Sequence, residues 1–240
     1  MSEARAALER LVRRHRLPAG AAERLAAVLD ALAEDPHAPT KVRAREEAVD
    51  AHLADALVAL ELPDVRAARS VADLGAGAGF PGLALAVALP EAEVALVESN
   101  GRKCEFIRAA IARATIPNAR AVAARAEAWS EGIGACDLVT ARALAPLGVL
   151  AEYAAPLLRE GGALVAWKGR RDAEEEQIAA AAARVLGLTV EAVVPVTPYP
   201  AARHRHLHVL RKVAPTPPRF PRRPGMARKR PLGGGAEGDL

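Results

Sequence analysis

With 240 residues, 51% of them hydrophobic, the chain can build one substantial α/β core and a smaller appendage. Its formal charge of +4 allows an anionic partner without demanding one, because arginine far exceeds lysine and alanine is abundant throughout, the mark of a compositional bias. The same composition excludes a membrane-spanning segment, since no uncharged run is long enough, and a paired-thiol motif, since Cys104 and Cys136 stand far apart.

The opening residues, MSEARAALER, mix acids and bases without an apolar core. No secretory leader is expected there, and a reducing cytoplasm suits the two cysteines, each read as a small buried hydrophobe. From Ala4 to Leu60 apolar residues recur at helical spacings: Leu8, Leu11 and Val12, then Leu25, Val28, Leu29 and Leu32. Leu17 to Gly20 breaks the first helix from the second, and His37 to Thr40, with two prolines, ends the second. A third helix over about Arg45 to Leu60 places Val49, His52, Leu53, Ala56 and Leu57 on one stripe. Residues 1–62 are therefore expected to form a helical cap, and Leu62 to Ser70 a short connection.

From Val71 onward strand and helix signals alternate, which predicts a parallel sheet covered on both faces over residues 63–213. The expected strands are Val71–Leu74, Val94–Glu98, Ala119–Ala123, Leu138–Thr140 and Leu164–Trp167. The expected helices are Pro81–Leu89, Gly101–Ala114, Leu147–Leu158 and Asp172–Leu186. Two further β-rich runs, Thr189–Val196 and His206–Val213, flank the turn-forming TPYPAAR and should pair antiparallel at one end of the sheet. Over residues 214–240 proline, arginine and glycine dominate and apolar periodicity vanishes, which predicts an extended or disordered basic tail.

The chain is organised around VADLGAGAGFPGLALAVALP, a short strand, a turn carrying Gly75, Gly77 and Gly79, and a helix begun near Pro81. Glycines there admit positive φ and close approach of a ligand to the main chain. A dinucleotide reading finds the right spacing at Gly77, Gly79 and Gly82, but the frame is wrong: counted from Gly75, which follows the strand, the third glycine position is Phe80. An acid, Asp73, in the strand end followed by glycines at every second position is instead the methyltransferase form of the turn, which predicts S-adenosylmethionine as the ligand. Glu98, at the tip of the second strand, can accept both ribose hydroxyls of an adenosine. Ala126 and Glu127, after the third strand, are placed to meet the adenine edge with a main-chain N–H and a carboxylate.

After the fourth strand the chain reads DLVTARALAPL, without the aromatic that amino-directed methyltransferases place there to hold an exocyclic amine. Arg142 offers a planar cation for the methionine carboxylate or for an RNA phosphate. Neither cysteine looks like an attacking thiolate, and no catalytic base stands out. That pattern suits a ring nitrogen with an exposed lone pair, such as N7 of guanine, because in-line displacement at a sulfonium then needs positioning and no deprotonation. His204, His206 and His208 alternate along one strand but lack a companion carboxylate or thiol, so no metal site is predicted. The run Arg211, Lys212, Arg219, Arg222, Arg223, Arg228, Lys229 and Arg230 suits phosphate contacts to a structured RNA.

Taken together, DLGAGAGFPGLALA, VESNGRKCEFI, TARALAPL, the WKG at Trp167 to Gly169, and RHLHVLRKVAPTPPRFPRRPGMARKRPL resemble the bacterial small-subunit ribosomal RNA guanine-N7 methyltransferase family, formerly glucose-inhibited division protein B. His52 and Asp55 in AHLADAL resemble that family's RHxxDS element, with Ala51 and Ala56 where the family has arginine and serine. The resemblance implies a Rossmann-like class I methyltransferase with a helical N-terminal cap, and puts the family's cofactor contacts on Gly75, Phe80, Ala126, Glu127 and Arg142. It implies methylation of a guanine in 16S ribosomal RNA, free or within the small ribosomal subunit, by a metal-free cytoplasmic enzyme expected to be a monomer. Lys168 and His206 are expected to line the RNA side of the cleft. The alternatives from other classes are an NAD-dependent oxidoreductase and a non-catalytic RNA-binding module.

Overall fold

Leu8 and Leu11 turn one face of the first helix, α1 (Glu3–His15), onto the second, α2 (Ala21–Glu34), which buries Leu25, Val28, Leu29 and Leu32. Each leucine so withdrawn from water contributes roughly 1.5–3 kcal/mol. Pro18 and a left-handed Gly20 make the break between the two helices, as expected. These elements belong to a computed structural model that describes residues 3–233. The described residues form two compact units, one of residues 3–124 with 197–203, the other of residues 125–196 with 204–233.

In the first unit the expected third helix is a composite run. It comprises α3 (Arg45–Ala48), a π-helical turn (Val49–Ala54), α4 (Asp55–Leu57) and a 3₁₀ turn (Val58–Glu61). The anticipated stripe of Val49, His52, Leu53, Ala56 and Leu57 is buried throughout. A π turn widens the helix by one residue locally, a departure that periodicity alone does not reveal. The connection that follows is itself helical, α5 (Pro63–Ala67), started by Pro63, whose missing N–H costs nothing at that position.

Three parallel strands follow in this unit, β1 (Ser70–Leu74), β2 (Glu93–Glu98) and β3 (Ala119–Ala123), ordered β3-β2-β1. Val71 aligns with Val94 and Leu74 with Val97, while Glu98 aligns with Ala123, so strand tips fall level. Their crossovers are α6 (Gly82–Ala88) and α7 (Gly101–Arg113), each within a residue of the predicted limits. Asn100 caps α7 by accepting from the Lys103 N–H. Residues 197–203 are held on this unit by the Arg14 guanidinium, which donates to the carbonyls of Thr197 and Pro198 and pairs with Glu61.

The second unit holds β4 (Cys136–Arg142), α8 (Leu147–Ala154), β5 (Leu158–Lys168), α9 (Ala173–Val185), β6 (Leu188–Val196) and β7 (Arg205–Lys212). Their order is β4-β5-β7-β6, with β4 and β5 parallel and β7 antiparallel to both of its neighbours, as the sequence suggests. Several boundaries differ from expectation, β4 running two residues beyond Leu138–Thr140 at each end. α8 ends at Ala154 rather than at 158, and β5 starts at Leu158 rather than at 164. Pro156 stands just past the end of α8, and Gly161-Gly162 lies inside β5. A side chain on Gly162 would come within 2.8 Å of the Asp137 carbonyl, and the β4–β5 register shifts at this point.

The C-terminal stretch also departs from expectation. Over residues 214–233 it has little regular structure, only α10 (Met226–Lys229), yet it is anchored rather than free. Phe220 and Ala227 are buried, and Arg222 forms a two-pronged ion pair with Glu152 of α8, which is 2% exposed. The remainder of the predicted tail, residues 234–240, lies outside the described residues.

Candidate functional site

In the first unit the glycine turn is built from β1 outward. Asp73 is fully buried, and its Oδ2 accepts the Gly82 N–H at 2.9 Å, pinning the start of α6 to the strand. Gly82 has no room for a side chain, whose Cβ would lie 2.8 Å from that oxygen and 2.9 Å from the Leu96 side chain. Between them the chain crosses the end of β2, with the Gly75 and Ala76 N–H groups both donating to the Val97 carbonyl. Gly75, Gly77 and Gly79 all take left-handed φ, which explains glycine at each. Beside Gly77 there is open space: an added Cβ would meet only the Gly75 carbonyl, at 3.7 Å.

Glu98 and Gly77, predicted independently, are brought together. The Glu98 carboxylate, 7% exposed, accepts from Gly77 N–H at 3.1 Å through Oε2 and from Asn100 N–H at 2.8 Å through Oε1. Two backbone donors to a charged acceptor fix its orientation, and each oxygen keeps capacity for a hydroxyl donor. Phe80, also predicted, is buried and stacks face to face on His52, with ring centroids 4.8 Å apart and planes within 6°. His52 in turn places Nε2 3.2 Å from both Thr40 Oγ1 and the Val42 carbonyl. Sequence reasoning singled out His52, from its place on an apolar helical stripe and from its likeness to the RHxxDS element, without foreseeing this stack.

In the second unit Ala126 and Glu127 open a 3₁₀ turn (Ala126–Ala128), and Glu127 Oε1 accepts the Gly225 N–H at 2.9 Å. Arg142 closes β4 in register with Trp167. Lys168 and His206 are register partners across β5 and β7, so the two residues expected on one side of the cleft are neighbours. Lys168 pairs with Glu175 at 2.5 Å, and that carboxylate also accepts the Leu147 N–H at 2.7 Å. His206 donates from Nδ1 to the Gly169 carbonyl at 2.9 Å, which fixes the orientation of its ring. Lys168 and Glu175 share a groove of about 700 Å³ with Leu144, Pro146, Val149 and Arg228.

The three-histidine strand face is not realised. His204 precedes β7 at φ 59°, and His208 is buried, where desolvation lowers its pKa and keeps the ring neutral. Among the described residues no group of three or more His, Cys, Asp or Glu side chains could hold a metal ion. Cys104 donates from Sγ to the Glu98 carbonyl, and burial followed by the Glu98 charge pushes its pKa up, so it is no thiolate. Several cations assigned to phosphate contacts serve the structure instead. Arg222 is taken by Glu152 and Arg211 by Glu191, while Arg228 donates to the Leu144 carbonyl and Lys212 Nζ to that of Leu186.

The residues fit S-adenosylmethionine on two counts: an oriented carboxylate for a ribose diol, and an unfilled glycine face beside it. Comparison with known proteins agrees. The family model described as GidB, rRNA small subunit methyltransferase G, matches residues 23–207. The ribosomal RNA small subunit methyltransferase G of Rubrobacter xylanophilus is 42% identical over 190 residues, 77% of this chain and 73% of that protein. Its counterpart in Chloroflexus aggregans is 42% identical over 196 residues, 80% and 82% of the two chains. Among solved structures, a predicted O-methyltransferase from Agrobacterium tumefaciens matches with a TM-score of 0.52 and 28% identity, over 69% of this chain and 81% of that one. The fold is the Rossmann-like fold of class I methyltransferases, and the chain belongs to the rRNA small subunit methyltransferase G family.

Proposed function

We propose that this methyltransferase transfers a methyl group from S-adenosylmethionine to N7 of a guanine in 16S ribosomal RNA, in the cytoplasm. The observation that carries the cofactor half is the Glu98 carboxylate, buried and oriented beside the open face of Gly77. The same turn argues against a dinucleotide. A pyrophosphate would need the N–H groups at the start of α6, but the Gly82 N–H is already bonded to Asp73, and a buried carboxylate there repels a second anion. Among the described residues no helix is long and apolar enough to cross a membrane.

S-adenosylmethionine, when bound, supplies a methyl group on a sulfonium, activated without metal or base. The chain's own part is positioning. In the first unit, Gly75, Gly77 and Phe80 would bed the methionyl end, and Glu98 would accept from the ribose. In the second, Ala126 and Glu127 would meet the adenine, while Arg142 would balance a methionine carboxylate or an RNA phosphate. Lys168 and His206 would face the RNA, and exposed Arg219, Arg223, Lys229 and Arg230 would meet phosphates without reading sequence. N7 of guanine carries no proton, so no residue need remove one, consistent with a Cys104 thiol that burial keeps protonated.

The test is incubation of the protein with methyl-labelled S-adenosylmethionine and small ribosomal subunits or 16S RNA lacking the modification. Label recovered as 7-methylguanosine is expected. Label on any other atom, or none despite demonstrated cofactor binding, would overturn the assignment.

A further inference from the structure

The stretch 214–233 is fastened along the second unit by contacts of several kinds. At its start, Val213 and Ala214 N–H groups donate to the Gly187 carbonyl, and a side chain on Gly187 would strike the Ala214 carbonyl at 2.3 Å. Lys212, 3% exposed, donates to the Leu186 carbonyl at 3.0 Å and to Thr216 Oγ1. Midway, Phe220 is buried beneath the guanidinium groups of Arg219 and Arg222, and Arg222 reaches both Glu152 and the Arg230 carbonyl. At the far end, the position where Gly233 would carry a Cβ lies 2.7 Å from the Ile178 carbonyl of α9. A basic, proline-rich segment with this many buried fastenings is a strap. What it presents at its centre is the Gly225 N–H, donated to Glu127 Oε1 at 2.9 Å.

We propose that this strap is a specificity-determining part of the adenine end of the cofactor site, with Gly225 and Arg222 as positioning residues that hold Glu127. The proposal rests on the reading of Glu127 as an adenine contact given above. Gly225 sits at φ 85°, a conformation glycine adopts freely, and this aims its N–H at the carboxylate. Arg222, three residues upstream, is locked by the two-pronged pair with Glu152 and so fixes the approach to Gly225. With Oε1 satisfied by the strap, Oε2 is left for an incoming N–H donor. The exocyclic amine of adenine is such a donor. Hypoxanthine has a carbonyl at the same place, which a held carboxylate repels, so the strap converts a mobile surface acid into a filter for the base.

The experiment measures binding of S-adenosylhomocysteine and S-inosylhomocysteine by calorimetry to the full chain and to Gly225→Val. A Cβ at position 225 meets nothing within 4 Å, so this substitution disturbs the left-handed backbone and its N–H without a clash. A second variant, Arg222→Met with Glu152→Leu, releases the strap while removing both members of the buried pair, so neither charge is orphaned. The wild type is expected to prefer the adenosyl ligand by roughly tenfold or more, and each variant to lose most of that preference. In both variants the KM for S-adenosylmethionine should rise while kcat at saturation holds; simple misfolding would instead lower the active fraction and leave KM alone. Unchanged discrimination in folded variants, or a wild type that binds both ligands equally, overturns the proposal. A wild type that binds neither overturns the function on which it rests.

Discussion

The glycine turn and the strap use one device: a backbone N–H of a left-handed glycine holding a carboxylate. Gly77 donates to Glu98 at 3.1 Å across 21 residues, and Gly225 donates to Glu127 at 2.9 Å across 98. The first is written locally, in a strand, a turn and the next strand tip, with β1 and β2 in parallel register to bring the tips level. The second depends on fastenings drawn from α8, the end of α9 and β7, none of them near Glu127 in sequence. Equal geometry can therefore rest on very different foundations, and the two should fail differently.

The largest effect is expected at the strap. Arg222→Ala leaves Glu152, 2% exposed, as a buried charge without its partner, and should cost about 3–5 kcal/mol in urea unfolding. If Arg222→Ala costs under about 1 kcal/mol, the fastening is a surface contact and the contrast collapses.

Acid probes the first unit. His15 is 2% exposed, and burial, then Arg14, lower its pKa from 6.5 to about 4. In the unfolded chain it titrates near 6.5, so between pH 6.5 and 4 the unfolded state binds more protons and stability falls as pH falls. This stability is fully present above pH 6.5 and about 3 kcal/mol of it is lost by pH 4, so His15→Leu should flatten the acid limb of a stability profile. An unchanged limb would show that the ring finds a solvated site. In the second unit, burial lowers Lys212 to about 8, so its penalty is relieved only as pH rises from 8 toward 10.5.

The smallest effect on this scale concerns the turn. Gly77→Val places a β-branched residue at φ 59° and fills the open face beside it, and should weaken S-adenosylhomocysteine binding about 100-fold, equivalent to about 2.7 kcal/mol. Calorimetry on the folded variant checks this, and retained affinity would move the pocket away from the turn.

What the sequence disclosed follows the same division. Helices α1, α2, α6, α7 and α9 and strands β1 to β3 were legible because each is specified by its own apolar pattern, with Asn100 and Asp172 capping α7 and α9. Glu98 and the glycine turn were each legible from position, at the tips of neighbouring strands, but the hydrogen bond that joins them was not foreseen. Hidden features depend on partners far along the chain. Gly161-Gly162 looks like a turn until the Asp137 carbonyl is seen above it, and the π turn at His52 serves a stack on Phe80 that no spacing rule encodes. The basic ending reads as solvated because nothing nearby tells Arg222 that a buried acid waits 70 residues upstream.

The distance from Glu127 to Gly225 has a consequence for biosynthesis. A nascent polypeptide that has already emerged through the third strand and its following turn carries the acid without its donor, because 98 further codons separate the two. Ligand selectivity at that acid would thus be acquired only after the last strand of the sheet has been made, rather than growing in step with the sheet.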